Sequence, residues 1–251
     1  MAAAHLHRTA ILLATLVVVG VAPTARGEPS RSYGLAQRLV DVAIHKPAYL
    51  LMRAAGLRVE GRQNVPREGG VILAPNHPSV LDPILVGVSS PRPQPHFMAK
   101  MELFRSRPLG AVLRFFNAYP VDRAHPSLET RAHTEKMLTA GGQVIIFPEG
   151  GVRTGVASVL ATGELKKGVG HFSANTNVPV VPVLVTGTAE VGSRVVAWLH
   201  GKRSMEPWVR PRVVFGKPFS APPGLTPAER ASWVTDRLKS ELREMGRANA
   251  R

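Results

Sequence analysis

Apolar residues along this chain fall into short continuous runs, separated by segments with helical spacing. The runs cover residues 71–74, 96–99, 144–147, 180–185 and 213–215. Runs of this length are typical of strands that are buried on both faces of a sheet. Helical patterns cover residues 84–88, 109–116, 128–138 and 165–174. This alternation predicts an α/β fold with a largely parallel or mixed sheet flanked by helices.

The two ends of the chain carry further helical patterns. Residues 226–229 read Thr-Pro-Ala-Glu, a capping box with proline at the first helical position, and predict a helix over 226–246. Residues 35–56 predict two short amphipathic helices, and Pro47 should break or kink this stretch. Helices that face the core and helices that lie on a membrane surface both fit this pattern.

An apolar segment over residues 10–22 precedes these helices. It is shorter than the roughly 20 residues that span a bilayer. A cleaved signal, an uncleaved anchor and a start codon assigned too far upstream all remain open. We expect residues 1–34 to form a membrane-directed segment and linker. Residues 35–251 should form a single domain, with its core over 57–217.

Composition narrows the classes of function. The 251 residues include no cysteine, which excludes disulfides, thiolate metal sites and a cysteine nucleophile. The net charge of +15 should attract anions such as nucleic acid, acidic lipid or phosphorylated substrates. Aromatic residues make up only 6% of the chain, too few for stacking platforms, so we expect no nucleic-acid partner. A solvated basic surface explains many of these charges equally well.

The stretch NHPSVLDP, residues 76–83, places a histidine five positions before an aspartate. Five residues of a helix turn through about 500°, so His77 and Asp82 cannot share a helix face. They can meet only if His77 lies in a loop before a helix that Asp82 caps and Pro83 opens. Such a loop lies at the carboxyl edge of an α/β sheet, where His77 could deprotonate a hydroxyl while Asp82 orients it. A turn that only starts a helix is the alternative.

Other segments add to this constellation. Glu149 and Gly150 directly follow the strong run 144–147, and Arg123 follows a short extended segment. Arginine offers a planar fork that suits phosphate, although a surface ion pair is an alternative for Arg123. Ser79 lies beside His77, but the G-x-S-x-G elbow of serine hydrolases is absent. Because no histidine or acidic cluster has metal-ligand spacing, we expect no metal and no cofactor.

Four blocks in order resemble the membrane-associated glycerolipid acyltransferases, typified by lysophosphatidic acid acyltransferase. They are the HX4D motif of His77 and Asp82, Pro-Val-Asp-Arg at 120–123, Phe-Pro-Glu-Gly at 147–150 and a valine-proline strand at 178–183. The resemblance extends from about residue 57 to residue 216. The family usually continues its Phe-Pro-Glu-Gly block with threonine, arginine and serine. Here residues 151–154 read Gly-Val-Arg-Thr, which displaces the arginine by one position.

The resemblance implies direct transfer of a fatty acyl group to the free hydroxyl of lysophosphatidic acid, giving phosphatidic acid in phospholipid synthesis. His77 would be the base and Asp82 its orienting partner. The substrate-binding residues that it implies are Arg123, Glu149, Gly150 and Arg153.

The implied partners are membrane lipids, the lysophospholipid acceptor, and acyl-CoA or an acyl carrier protein as donor. The implied location is the cytoplasmic face of the cell membrane. Transfer to another lysophospholipid or a glycolipid stays open, as does a noncatalytic lipid-binding homologue.

Overall fold

A seven-stranded sheet with helices on both faces forms the centre of the protein. The computed structural model describes residues 41–92, 95–122, 127–189 and 210–249, so segment 1–34, residues 35–40 and Arg123 lie outside it. The strands are β1 (Arg58–Glu60), β2 (Val71–Pro75), β3 (His96–Lys100), β4 (Ala118–Val121), β5 (Gln143–Ile145), β6 (Val180–Thr186) and β7 (Arg212–Phe215). The α-helices are α1 (Lys46–Ala54), α2 (Asp82–Ser89), α3 (Arg107–Phe115), α4 (Leu128–Thr139), α5 (Val159–Thr162), α6 (Gly168–Thr176) and α7 (Pro227–Asn249). Shorter helical turns cover Asp41–His45, Arg62–Asn64, Met101–Arg105 and Gly155–Ala157.

The sheet is mixed, with strand order β1-β7-β6-β2-β5-β3-β4. All neighbouring strands pair in parallel except β6 and β7, which are antiparallel. The predicted α/β fold with a largely parallel or mixed sheet is therefore confirmed. Because β2, β5 and β3 are parallel neighbours, the segments that follow them leave the sheet on one side, here called the carboxyl edge.

Two apolar cores lie on opposite faces of the sheet. Val71 and Leu73 of β2 belong to one core, while Ile72 and Ala74 belong to the other. Successive side chains of a strand point to opposite faces, so a strand covered on both sides must be apolar at every position. This double burial explains the continuous apolar runs in the sequence.

Helix α7 closes one of these cores. Val234, Leu238 and Leu242 recur every four residues and are all fully buried against the sheet. Its start is the predicted capping box, in which the Glu229 carboxylate accepts the Thr226 N–H at 2.8 Å. Pro227 is the first helical residue, as predicted.

Two differences from the predicted element boundaries bear on the site, because both lie at the carboxyl edge. Strand β5 ends at Ile145, two residues before the end of its apolar run, so Phe147 belongs to the following loop. Helix α6 begins at Gly168 rather than at residue 165. The backbone N–H of Lys166 donates to Pro148 O at 2.8 Å, which holds this residue in an irregular loop.

The described amino-terminal segment is helical from Asp41. A π-helical turn, Asp41–His45, passes into α1, and Pro47 lies in the first turn of α1. No residue of α1 is fully buried, although Met52 packs against the core. Within the described ranges, no helix has the length and hydropathy needed to cross a bilayer.

Candidate active site

The loop that follows β2 brings His77 and Asp82 into contact at the carboxyl edge. Nδ1 of His77 lies 2.9 Å from Oδ2 of Asp82, and the two residues are only 5% and 0% exposed. A carboxylate can only accept hydrogen bonds, so the proton of the neutral imidazole lies on Nδ1. Nε2 then carries the lone pair. The residues meet because His77 precedes the helix, as the spacing predicts.

The start of α2 differs from the prediction that Asp82 caps the helix. Leu81 occupies the N-cap position, and Asp82 is the first helical residue. The predicted cap is wrong because the Asp82 carboxylate turns back to the loop, where Oδ2 also accepts the Ser79 N–H at 2.7 Å. Oδ2 thus receives two donors, while the buried Oδ1 has no hydrogen-bond partner in the described ranges. The two donors fix the orientation of the carboxylate.

Asn76 fixes the beginning of the same loop. Its side-chain amide donates to Val185 O at 2.9 Å, and its carbonyl accepts the Val185 N–H at 2.7 Å. The side chain therefore satisfies both backbone groups of a residue in β6, as a neighbouring strand would. Sequence reasoning gave Asn76 no role, although its position directly before His77 was a usable signal.

Phe147 supports the imidazole from the neighbouring loop. Its ring centroid lies 3.9 Å from that of His77, with the rings inclined at 28°. This stacked contact is possible because β5 ends at Ile145 and releases Phe147 from the strand. Together with Asp82, the ring restricts the imidazole to one position, and this contribution was not predicted.

Glu149 and Gly150 join the site through backbone geometry. Oε1 of Glu149 accepts the His77 N–H at 3.0 Å. Gly150 has φ of +71°, a left-handed conformation that favours glycine, and its N–H closes the turn onto Phe147 O at 3.1 Å. The predicted Phe-Pro-Glu-Gly block is thus a tight turn held against the histidine loop.

Burial raises the pKa of the Glu149 carboxyl above its ordinary value of 4.5. The N–H groups of His77 and Val159 oppose that increase in pKa most, and the positive charge of Arg153 opposes it least. Among the described residues, Oε2 of Glu149 makes no hydrogen bond of standard geometry. Glu149 therefore positions the backbone of His77 at a cost in desolvation.

Arg153 also reaches the site, although its position in the motif is displaced. Its backbone N–H donates to His77 O at 2.8 Å, which ties the two loops together. Its side chain is exposed and lies close enough to lower the pKa of Glu149. The structure thus brings together five of the six predicted site residues, and Arg123 lies outside the described ranges.

This arrangement can remove a proton from a bound hydroxyl. Nδ1 of His77 is held by an anion, so Nε2 is the basic nitrogen. The Ser79 hydroxyl accepts the Leu81 N–H at 3.3 Å, an interaction within its own loop. In the same ranges, no group of three or more histidine or acidic side chains is arranged to hold a metal ion.

Comparison with known proteins gives one family match. The model of the acyltransferase family matches residues 56–186, just over half of the chain. A 1-acyl-sn-glycerol-3-phosphate acyltransferase of Bacillus subtilis is 28% identical over 198 residues, which cover 78% of this chain and 91% of that protein. A mouse lysophospholipid acyltransferase is 31% identical over 155 residues, covering 60% of this chain and 28% of that protein.

A solved structure shares the fold. The crystal structure of the 1-acyl-sn-glycerophosphate acyltransferase PlsC from Thermotoga maritima aligns with a TM-score of 0.62. The alignment covers 98% of this chain and 95% of that one, at 20% sequence identity. At this identity the likeness supports the architecture of the sheet and helices alone.

Proposed function

Because the chain belongs to the acyltransferase family, we propose that it transfers a fatty acyl group from a thioester donor to the free hydroxyl of lysophosphatidic acid. The product is phosphatidic acid, an intermediate of phospholipid synthesis. The Bacillus subtilis relative, aligned over 91% of its own length, is named for this reaction and supports the choice of acceptor. The buried His77–Asp82 pair is the observation that carries the proposal.

The reaction needs one base and no covalent enzyme intermediate. Nε2 of His77 takes the proton of the acceptor hydroxyl, and the resulting alkoxide attacks the carbonyl carbon of the thioester. The C–S bond then breaks, and the leaving thiolate takes the proton back from Nε2. Asp82 holds the imidazole in one tautomer and stabilises the imidazolium that forms.

The acceptor's phosphate is held by arginine side chains. Arg153 lies at the site with an exposed guanidinium, which can form two parallel hydrogen bonds with a phosphate. Arg123 has the same role by its position in the motif. Glu149 and Gly150 shape the acceptor end of the site through the turn that holds His77.

The carboxyl edge faces a lipid surface. Its loops expose the large apolar side chains Val80, Met101, Leu103, Val152 and Val156. Apolar side chains grouped in this way favour contact with a membrane. The exposed cations Arg105 and Arg153 on the same segments favour acidic lipid head groups. The protein would bind its donor, acyl-CoA or an acyl carrier protein, on the cytoplasmic face of the membrane.

Vesicle binding tests this orientation. The double variant with Val80→Asp and Val156→Asp should bind vesicles of phosphatidylcholine and phosphatidylglycerol at least about tenfold more weakly, because two apolar contacts are lost. Thr139→Asp adds a charge at the opposite edge of the sheet and should bind normally. Equal binding by the wild type, the double variant and Thr139→Asp would contradict a membrane contact at the carboxyl edge.

A panel of acceptors tests the reaction itself. The purified protein is incubated with a labelled acyl donor, either acyl-CoA or acylated acyl carrier protein. The acceptor is lysophosphatidic acid, lysophosphatidylcholine or a glycolipid. Turnover should be fastest with lysophosphatidic acid. Clear turnover of another acceptor alone would contradict the proposed substrate. Turnover of none, equal to that of His77→Ala, would indicate a noncatalytic lipid-binding homologue.

A second acceptor class has specific support. The mouse relative is named as a lysophospholipid acyltransferase, and residues 151–154 depart from the usual motif beside the acceptor end. A lysophospholipid with a larger head group is therefore the second candidate. The same panel separates the two, since lysophosphatidylcholine and lysophosphatidic acid differ only in their head groups.

A further inference from the structure

Lys166 lies across the turn over residues 147–150 of the candidate active site, here called the glycine turn. Its backbone N–H donates to Pro148 O at 2.8 Å, which anchors the residue to the turn. A Cβ atom built at Gly150 would lie 2.5 Å from Cε of Lys166 and 2.9 Å from its Nζ. The lysine side chain therefore occupies the space that a side chain at position 150 would need. The absence of a side chain at Gly150 leaves this space to the lysine, and its positive φ independently favours glycine.

The ammonium group of Lys166 is placed to meet an anionic ligand. The residue is exposed and, among the described residues, takes part in none of the ion pairs. The neighbouring Glu149 is engaged by the His77 N–H, and burial raises its pKa, which weakens it as a counter-ion. A second exposed cation, Arg153, lies three residues after Gly150.

We infer that Lys166 is a phosphate-binding residue of the active site, held in place by its packing across Gly150. This inference rests on the proposed function for the identity of the substrates. The ligand chemistry is a phosphate group, which is present both in a lysophosphatidic acid acceptor and in the nucleotide part of acyl-CoA. Lysine binds such a group as a point charge, and Arg153 adds the forked geometry that lysine lacks.

The adjacent lysine provides a matched control. Lys167 is exposed and forms the N-cap of α6, whereas the three atoms nearest to a Cβ at Gly150 all belong to Lys166. Lys166→Gln and Lys167→Gln remove the same charge from neighbouring positions of one loop. Any general effect of net charge on binding must therefore appear in both variants.

Equilibrium binding is measured in the His77→Ala background, so that no turnover occurs. Lysophosphatidic acid is compared with the monoacylglycerol of the same chain, and CoA is compared with pantetheine. Lys166→Gln should weaken binding of at least one phosphate-bearing ligand by about tenfold or more, and leave its phosphate-free counterpart unchanged. Lys167→Gln should stay within about twofold. The affected pair of ligands identifies the phosphate as the acceptor's or the donor's.

Lys166→Arg keeps the positive charge and should retain most of the affinity. With active enzyme, Lys166→Gln should raise KM for the affected substrate and change kcat little. Equal losses of affinity in Lys166→Gln and Lys167→Gln would overturn the inference. So would a His77→Ala protein that binds phosphate-bearing ligands no better than their phosphate-free counterparts. Failure of the proposed function looks different, since phosphate-dependent binding would persist while lysophosphatidic acid is not turned over.

Discussion

Replacing Asp82 with asparagine should remove one charge from the site and keep its shape. Oδ2 of Asp82 receives hydrogen bonds from the Ser79 N–H at 2.7 Å and from His77 Nδ1 at 2.9 Å. Asparagine must place its carbonyl oxygen there, because an amino group would face two donors. The amino group then takes the position of Oδ1, which has no hydrogen-bond partner in the described structure. His77 keeps its tautomer, and Nε2 remains the proton acceptor.

The lost charge acts on the imidazolium that forms in the transition state. For charge centres about 4 Å apart and an effective dielectric constant of about 20, the attraction is about 4 kcal/mol. A barrier higher by that amount corresponds to a rate about a thousandfold lower. We therefore expect kcat/KM of Asp82→Asn to fall by about two to three orders of magnitude. The buried, unpaired amino group should also lower the free energy of unfolding by about 1–3 kcal/mol.

The assay compares initial rates of acyl transfer to lysophosphatidic acid by the wild type, Asp82→Asn and Asp236→Asn. Asp236 is exposed on α7, so its variant controls for the loss of a negative charge and should stay within about twofold of wild type. Circular dichroism and thermal melting establish that each protein is folded. A folded Asp82→Asn variant with activity within about tenfold of wild type would refute the electrostatic role assigned to Asp82.

Three further predictions concern the groups around the imidazole. Phe147→Leu removes the ring stacked on His77 but keeps an apolar side chain, so kcat should fall about two- to tenfold. An unchanged kcat would argue against a role for the stacked ring. Asn76→Ala leaves both buried backbone groups of Val185 unpaired, so urea denaturation should show a loss of about 2–4 kcal/mol, and a loss below about 0.5 kcal/mol would contradict this. Burial raises the pKa of Glu149 in the folded protein, so the folded state favours the protonated carboxyl. The stability that this carboxyl contributes is therefore present below pH 4.5 and is lost as the pH rises through the folded pKa. As the pH rises, the melting temperature of wild type should therefore fall relative to that of Glu149→Gln. A difference in melting temperature that does not change with pH would contradict the raised pKa of Glu149.

The central strands were predictable because burial on both faces leaves a mark in the sequence. In β2 and β6, every position from Val71 to Ala74 and from Val180 to Val185 is buried, so each strand is a continuous apolar run. Strand β1 gave no such signal. Its three residues, Arg58–Glu60, form an edge strand with exposed charged ends, and its partner β7 lies about 150 residues away along the chain. The antiparallel direction of β7 was also unpredictable, since apolar runs carry no direction.

The candidate site was predictable where residue type and spacing carry the chemistry. His77 and Asp82 could be paired because the prolines beside them limit where the helix begins. The stacking of Phe147 could not be predicted, because an apolar residue at the end of a run reads the same inside the strand and in the loop after it. Lys166 could not be separated from the other basic residues, because its position across Gly150 depends on a loop contact with Pro148.

The kinetics of His77→Ala test the central claim most directly. The measurement is kcat/KM for acyl transfer to lysophosphatidic acid, on vesicles, for the variant and the wild type side by side. With the fold verified by circular dichroism, removal of the general base should lower kcat/KM by at least about 100-fold. A folded His77→Ala protein that transfers acyl groups at a rate within about threefold of wild type would contradict the assignment of His77 as the base.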